Sequence, residues 1–256
     1  MFKPLGQAIF TFFCALYPGV IANHILNFGH KFRSSLQNNL LTCHGETVIL
    51  SLMYKTHLQK SQDYVLSLLK ERTSIQNKYH SIAHTQTVVG AAIDIGIGEG
   101  LSPEEMEMIQ IAAWFHDLGY IETSAGHEEL GAMYASNFLS EENYPSEKID
   151  KIVNCILATK VPQNPGTKME KILCDADLSH IGRNNFFDIN DKFRAELESH
   201  RRHKFTEIEW LTTTIDFVTR HRFFTDYSIK NFSEQKLKNI KLLNDQLNSI
   251  INGSNP

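Results

Sequence analysis

From about residue 46 onward, apolar residues recur at intervals of three and four along this chain. Val48 and Leu52, then Val65, Leu68 and Leu69, fall on helical stripes of this kind. The same period predicts helices over 81–97, from 102 through Phe115, and over 128–139, 146–158, 168–181, 207–224 and 233–251. Several ends carry matching chemistry. Gly96, Gly98 and Gly100 close the first of these helices. Ser102-Pro103-Glu104-Glu105 opens the second, with an N-cap hydroxyl, a proline in the first turn and two carboxylates near the positive end of the dipole. Pro162 and Pro165 separate 146–158 from 168–181. Alternating β-branched stretches are few, so the class is all-α. Residues 46–252 are expected to form one domain, followed by a short tail at 253–256.

Residues 1–45 read differently. From 4 to 30 there is no Lys, Arg, Asp or Glu, long enough for a spanning helix of roughly 20 residues. Pro18-Gly19 interrupts the run, and Asn23, His24 and Asn27 weaken its second half. Three readings fit: a cleaved signal peptide starting from Lys3, a membrane anchor through residues 5–30, and a helical hairpin packed on the main domain.

Length and composition narrow the class. The 256 residues are 42% hydrophobic and 21% charged, an ordinary globular mix that excludes a disordered chain, a collagen-like repeat and a multi-span membrane protein. A net charge of -4 argues against a general binder of double-stranded nucleic acid. The four cysteines form no C-x-x-C pair, which suits a reducing compartment such as the cytoplasm. Membrane association or export through the N-terminal stretch stays open beside that reading.

Three short segments carry candidate chemistry. His80 and His84 are spaced i, i+4 and share one helix face, as ligands or as core and capping residues. His116-Asp117 ends a very apolar helix. Burying both against Trp114 and Phe115 is costly unless a divalent cation offsets the charge; the alternative is a helix-end histidine with a chance neighbour. Asp175 and Asp177 lie two apart in an apolar stretch and cannot share a helix face. One is therefore expected to face a common metal, while the other caps a helix or supports a ligand from behind.

In this order, His…His-Asp…Asp resembles the HD-domain superfamily of metal-dependent phosphohydrolases over about residues 66–182. Tyr79-His80…His84 and Ala176-Asp177-Leu178-Ser179 further resemble signatures of class I cyclic-nucleotide phosphodiesterases. The resemblance implies an HD-like multi-helix bundle with an N-terminal helical extension. It implies that His84, His116, Asp117 and Asp177 hold a divalent ion (Mn, Mg, Fe, Zn or another), that Asp117 orients the attacking water, and that His80 protonates the leaving oxygen. Asp175 then stands behind the ligands. The glutamine-and-aromatic nucleotide clamp of the mammalian enzymes has no match here.

His127 is a candidate for a second ion, beside its alternative as a helix-start residue. No histidine lies between His127 and His180, and Lys160 sits about where a further one is expected. The second ion is then absent, weakly held, or bound by Asp117, His127 and water. The same gap argues against the di-iron oxygenase branch. Lys160, His180 and Arg183 are candidates to contact substrate, with a solvated loop and a helix end as their alternatives. The expected activity is hydrolysis of a phosphate mono- or diester of a nucleotide or related small molecule. A metal- or nucleotide-sensing module without turnover is the alternative.

Overall fold

The computed structural model describes residues 55–201 and 204–253. The expectations for residues 1–45, and for the stretch up to Tyr54, lie outside the described residues. Nine α-helices occur among those described: α1 His57–Arg72, α2 Ile82–Gly98, α3 Pro103–Phe115, α4 His127–Glu141, α5 Ser146–Ala158, α6 Lys168–Asp177, α7 Phe186–Arg201, α8 Glu207–Arg220 and α9 Asp226–Ile251. Two 3₁₀ turns, Leu118–Ile121 and Ser179–Gly182, follow α3 and α6. The fold is all-α. No described helix is long and apolar enough to cross a membrane.

Local chemistry sets most of the helix starts. Thr56, Ser102, Thr167 and Thr206 each cap a helix, and each pairs with a Gln or Glu three residues on in a reciprocal capping box. The innermost helix is α3. From Met108 to Phe115 it buries every residue except the half-buried Gln110, as a helix apolar on nearly all sides must. It packs among α1, α2, α5 and α6. Val65, Val88, Ile95, Phe115, Ile152 and Ile172 bring these helices into one core. A second core of Leu178, Ile181, Phe186, Leu211, Val218 and Leu243 joins the Ser179–Gly182 turn to α7, α8 and α9.

The structure departs from the periodicity in three places. The helix expected over 168–181 stops at Asp177, and the chain tightens into the Ser179–Gly182 turn. There Gly182 passes so close to α9 that a Cβ would lie 2.5 Å from the Phe232 carbonyl oxygen. The helix expected over 207–224 stops at Arg220, and α9 begins at Asp226 rather than near 233. The reason is Asp175. Its carboxylate accepts the Phe224 and Thr225 N–H groups at 2.9 and 2.8 Å and the Thr225 hydroxyl at 2.6 Å, which pins the turn and starts α9 early. Finally, α7 was not predicted at all, because only the first half of its buried stripe is apolar.

Candidate metal centre

Four helix ends meet at one place. Ser81 caps α2 and accepts the His84 N–H, so His84 sits in the first turn. His116 and Asp117 follow the last residue of α3, Asp177 is the last residue of α6, and His127 is the first of α4. Side chains at helix ends can converge without breaking the apolar packing along the helices.

The ligand atoms of His84, His116, Asp117 and Asp177 all lie within 4.8 Å of one another. His84 Nε2 is 3.2 Å from Asp117 Oδ2 and 3.3 Å from Asp177 Oδ1. His116 Nε2 is 3.1 and 3.6 Å from the same two oxygens. Adjacent ligands about 2.1 Å from a common cation stand about 3.0–3.4 Å apart, so the spacing fits a bound ion. The donor chemistry fits as well. His84 Nε2, His116 Nε2 and Asp117 Oδ2 are buried and have no hydrogen-bond partner. His116 Nδ1 lies 2.8 Å from the Ala113 carbonyl, which can only accept, so Nδ1 carries the proton. In the neutral ring Nε2 then presents its lone pair to the cluster. A lone pair facing a carboxylate oxygen needs a proton or a cation between them.

A second cluster shares Asp117. His80, Asp117 and His127 also offer ligand atoms within 4.8 Å of one another. His127 Nε2 is 3.4 Å from Asp117 Oδ1, and its Nδ1 is 3.0 Å from the Ser124 carbonyl, which fixes the tautomer as at His116. The sequence reading gave this group only Asp117, His127 and water; the structure adds His80. Its approach depends on two glycines. A Cβ on Gly119 would lie 2.2 Å from the His127 carbonyl oxygen, and one on Gly131 2.6 Å from the Phe115 carbonyl oxygen. Gly119→Ala is expected to push α4 off the His116-Asp117 turn, costing about 1–3 kcal/mol. It should weaken a second, low-affinity metal-binding phase before the first. Denaturant unfolding and metal titration check this; an unchanged titration with unchanged stability would contradict it.

The residue that sequence reasoning missed is Glu196 on α7. It is fully buried. It accepts the backbone N–H groups of Tyr79 and His80 at 2.8 and 3.0 Å, and its other oxygen takes His80 Nδ1 in a short contact. The His80 ring stacks on Tyr120 with centroids 3.7 Å apart. Its Nε2 is thus left as the working nitrogen. A signal for Glu196 does exist in the sequence. Phe186, Ile189, Phe193 and Glu196 are spaced by three and four, so the carboxylate falls on the apolar stripe of its helix.

The remaining candidates divide. His180 lines a cavity of about 140 Å³ beside His84 and Asp177. Lys160 does not line that cavity; it pairs with Glu129 at the surface. Nor does Arg183: its guanidinium lies 5.2 Å from the Phe232 ring centre, turned toward α9. Asp175 belongs to neither cluster, since both its oxygens serve the turn before α9.

Burial disfavours charge throughout the centre, yet mutual attraction outweighs it. Asp117 is held well below the usual carboxylate range, by His116 and His80 above all, and Asp177 is likewise lowered by His116 and His84. Against the same burial, Asp117 raises His84 and His116 and lifts His127 to about 9. Raised imidazoles stabilise the metal-free fold fully below their ordinary value near 6.5, and that gain is lost as pH climbs toward 9. His180 is depressed to about 4 by burial and then His84, and His221 to about 3 by burial and then Lys236. These two cost stability as pH falls below 6.5. The chelator-treated protein should therefore unfold at its highest temperature near pH 6.5, with the midpoint falling on both sides. Added Mn²⁺ should displace the protons and flatten the alkaline limb. Thermal melts from pH 4 to 9 test this; a metal-free midpoint rising steadily from 6.5 to 9 would refute it.

Comparison with known proteins agrees with the geometry. Residues 78–181 match the HD domain family. No curated protein matches the chain. A solved structure of a predicted HD superfamily hydrolase from an uncultured Thermotogales bacterium is 20% identical. It has a TM-score of 0.51 and an alignment covering 79% of this chain and 98% of that one. A Lactobacillus plantarum protein is 15% identical, with a TM-score of 0.59 and coverage of 78% and 99%. At these identities the two structures speak for the fold.

Proposed function

We propose, from the match of residues 78–181 to the HD domain family, that this chain is a metal-dependent phosphohydrolase cleaving a phosphate mono- or diester of a nucleotide or related small molecule. The observation that carries this reading is the convergence of His84, His116, Asp117 and Asp177 on one buried point with unpartnered Nε2 and Oδ2 atoms. A divalent cation held there supplies Lewis-acid polarisation of a phosphoryl group and of an attacking water.

The protein's own groups do the rest. Asp117 faces both clusters, Oδ2 toward His84 and His116 and Oδ1 toward His127, so it can orient a water between them. Glu196 fixes the His80 ring from behind through Nδ1 and leaves Nε2 free of that contact; in the imidazolium form Nε2 would carry the proton for a leaving oxygen. Tyr79 packs its ring 4.4 Å from that of His84. His80 Nε2 is also the atom that would complete the second cluster. One nitrogen cannot donate a proton and ligate an ion at once, so the two uses exclude each other.

The test is turnover of a panel of nucleotides, cyclic nucleotides and sugar phosphates with Mn²⁺, Mg²⁺ and Zn²⁺ in parallel. Ester cleavage that requires the ion and stops with chelator is expected, read as inorganic phosphate from the monoesters and as ring-opened nucleotide from the cyclic diesters. Tight metal binding without cleavage of any ester would replace the enzyme with a sensing module.

A further inference from the structure

The cavity beside the metal centre has an uneven charge. Its inner end is formed by His84 and Asp177, with Tyr79 and His180 alongside, and its rim carries Lys78 and Lys192. Among the residues that line it, Asp177 is the only carboxylate. The two lysines come from separate elements, the segment before α2 and the helix α7. Both are exposed, and neither forms an ion pair with a described residue. Two uncompensated ammonium groups lining one cavity favour an anion there.

Size points the same way. At about 140 Å³ the cavity is well below the roughly 300–1,000 Å³ that encloses a whole small-molecule ligand. It can enclose a phosphate-sized group against His84 and Asp177, the two members of the first cluster that line it. The rest of the substrate must then project past the rim, between Lys78 and Lys192. His180, which lines the cavity, has its Nδ1 buried without a hydrogen-bond partner among the protein groups, so a polar group of the substrate could satisfy it.

We propose that the preferred substrate is a phosphate ester whose leaving group bears a second phosphate, gripped by Lys78 and Lys192 at the rim of the cavity. This rests on the hydrolase reading above. The water oxygen bonds to the inner phosphorus, the P–O ester bond breaks, and the leaving oxygen takes up a proton. The products are inorganic phosphate and an alcohol that keeps its outer phosphate.

The experiment compares a nucleoside 3′,5′-bisphosphate with the 5′-monophosphate of the same nucleoside, using the full chain with Mn²⁺. The expected result is a kcat/KM about tenfold higher for the bisphosphate, shrinking as salt is raised. In the Lys78→Ala/Lys192→Ala double variant the ratio between the two esters should fall to near one. Calorimetric binding of the bisphosphate should weaken in the same variant, a readout independent of turnover. Lysine-dependent binding with neither ester hydrolysed would sink the hydrolase reading and keep the anion grip. Hydrolysis of both at equal kcat/KM, or a preference that survives the double substitution, would keep the hydrolase and overturn this proposal.

Discussion

Asp117→Ala should abolish metal retention and hydrolysis together. Asp117 is the one residue common to both clusters, and His84, His116 and His127 each come within 3.4 Å of one of its oxygens. Losing an outer partner of a ligand already costs about 10–100-fold in metal affinity or activity. Removing a shared anionic ligand should exceed that, leaving turnover near background. His127 would lose the carboxylate that chiefly raises it, while His84 and His116 would keep only Asp177, so the alkaline fall in the metal-free melting profile should shrink. Metal content by elemental analysis, turnover and the melting profile check the three consequences. A variant with wild-type activity would reject the metal mechanism.

The second large effect is expected at His80. Its ring is clamped by Glu196 and stacked on Tyr120, and both leave Nε2 to do chemistry. If that nitrogen delivers a proton, His80→Ala should slow hydrolysis of esters with poor leaving groups by about 10²–10⁴-fold. The loss on a nitrophenyl ester should be much smaller, because that leaving oxygen needs little protonation. Metal content should hardly change. Equal losses on both esters, with metal lost as well, would make His80 a ligand of the second cluster. Glu196→Gln is the companion variant. The carboxylate accepts three N–H groups with two oxygens, whereas the amide has only one oxygen and turns a donor toward the rest. About 1–3 kcal/mol of stability should go with it. The leaving-group contrast of His80→Ala should reappear in weaker form.

Much of this was legible in the sequence, for a physical reason. His84, His116 and Asp177 sit where long apolar runs begin or end, and an ionisable group in such a place is conspicuous. The helix starts at Ser102 and Lys168 could be read because a cap hydroxyl, a first-turn proline and two carboxylates mark the one, and Pro162 and Pro165 precede the other. What escaped depends on contacts distant in the chain. Nothing near Asp175 tells that it holds residues 224 and 225 rather than a metal ligand. The carboxylate of Glu196 meets its partners more than 110 positions away, in a helix whose polar second half hides the stripe. The surroundings of Lys160 and Arg183 were hidden for a similar reason. Glu129 and Phe232, which claim them, come from other helices.

A carboxylate held in common has a thermodynamic consequence. Two sites that draw on one anion are not independent, and whatever factor occupancy of the first applies to the affinity of the second must be returned in kind. The oxygen of Asp117 that serves His84 and His116 and the oxygen that serves His127 belong to one delocalised charge. A cation on one side withdraws electron density from the other, and two cations there repel each other. The coupling is therefore negative unless a further anion bridges the pair. On the proposed function a phosphoryl group entering the centre would be such an anion, and substrate and a second ion should then each raise the affinity for the other.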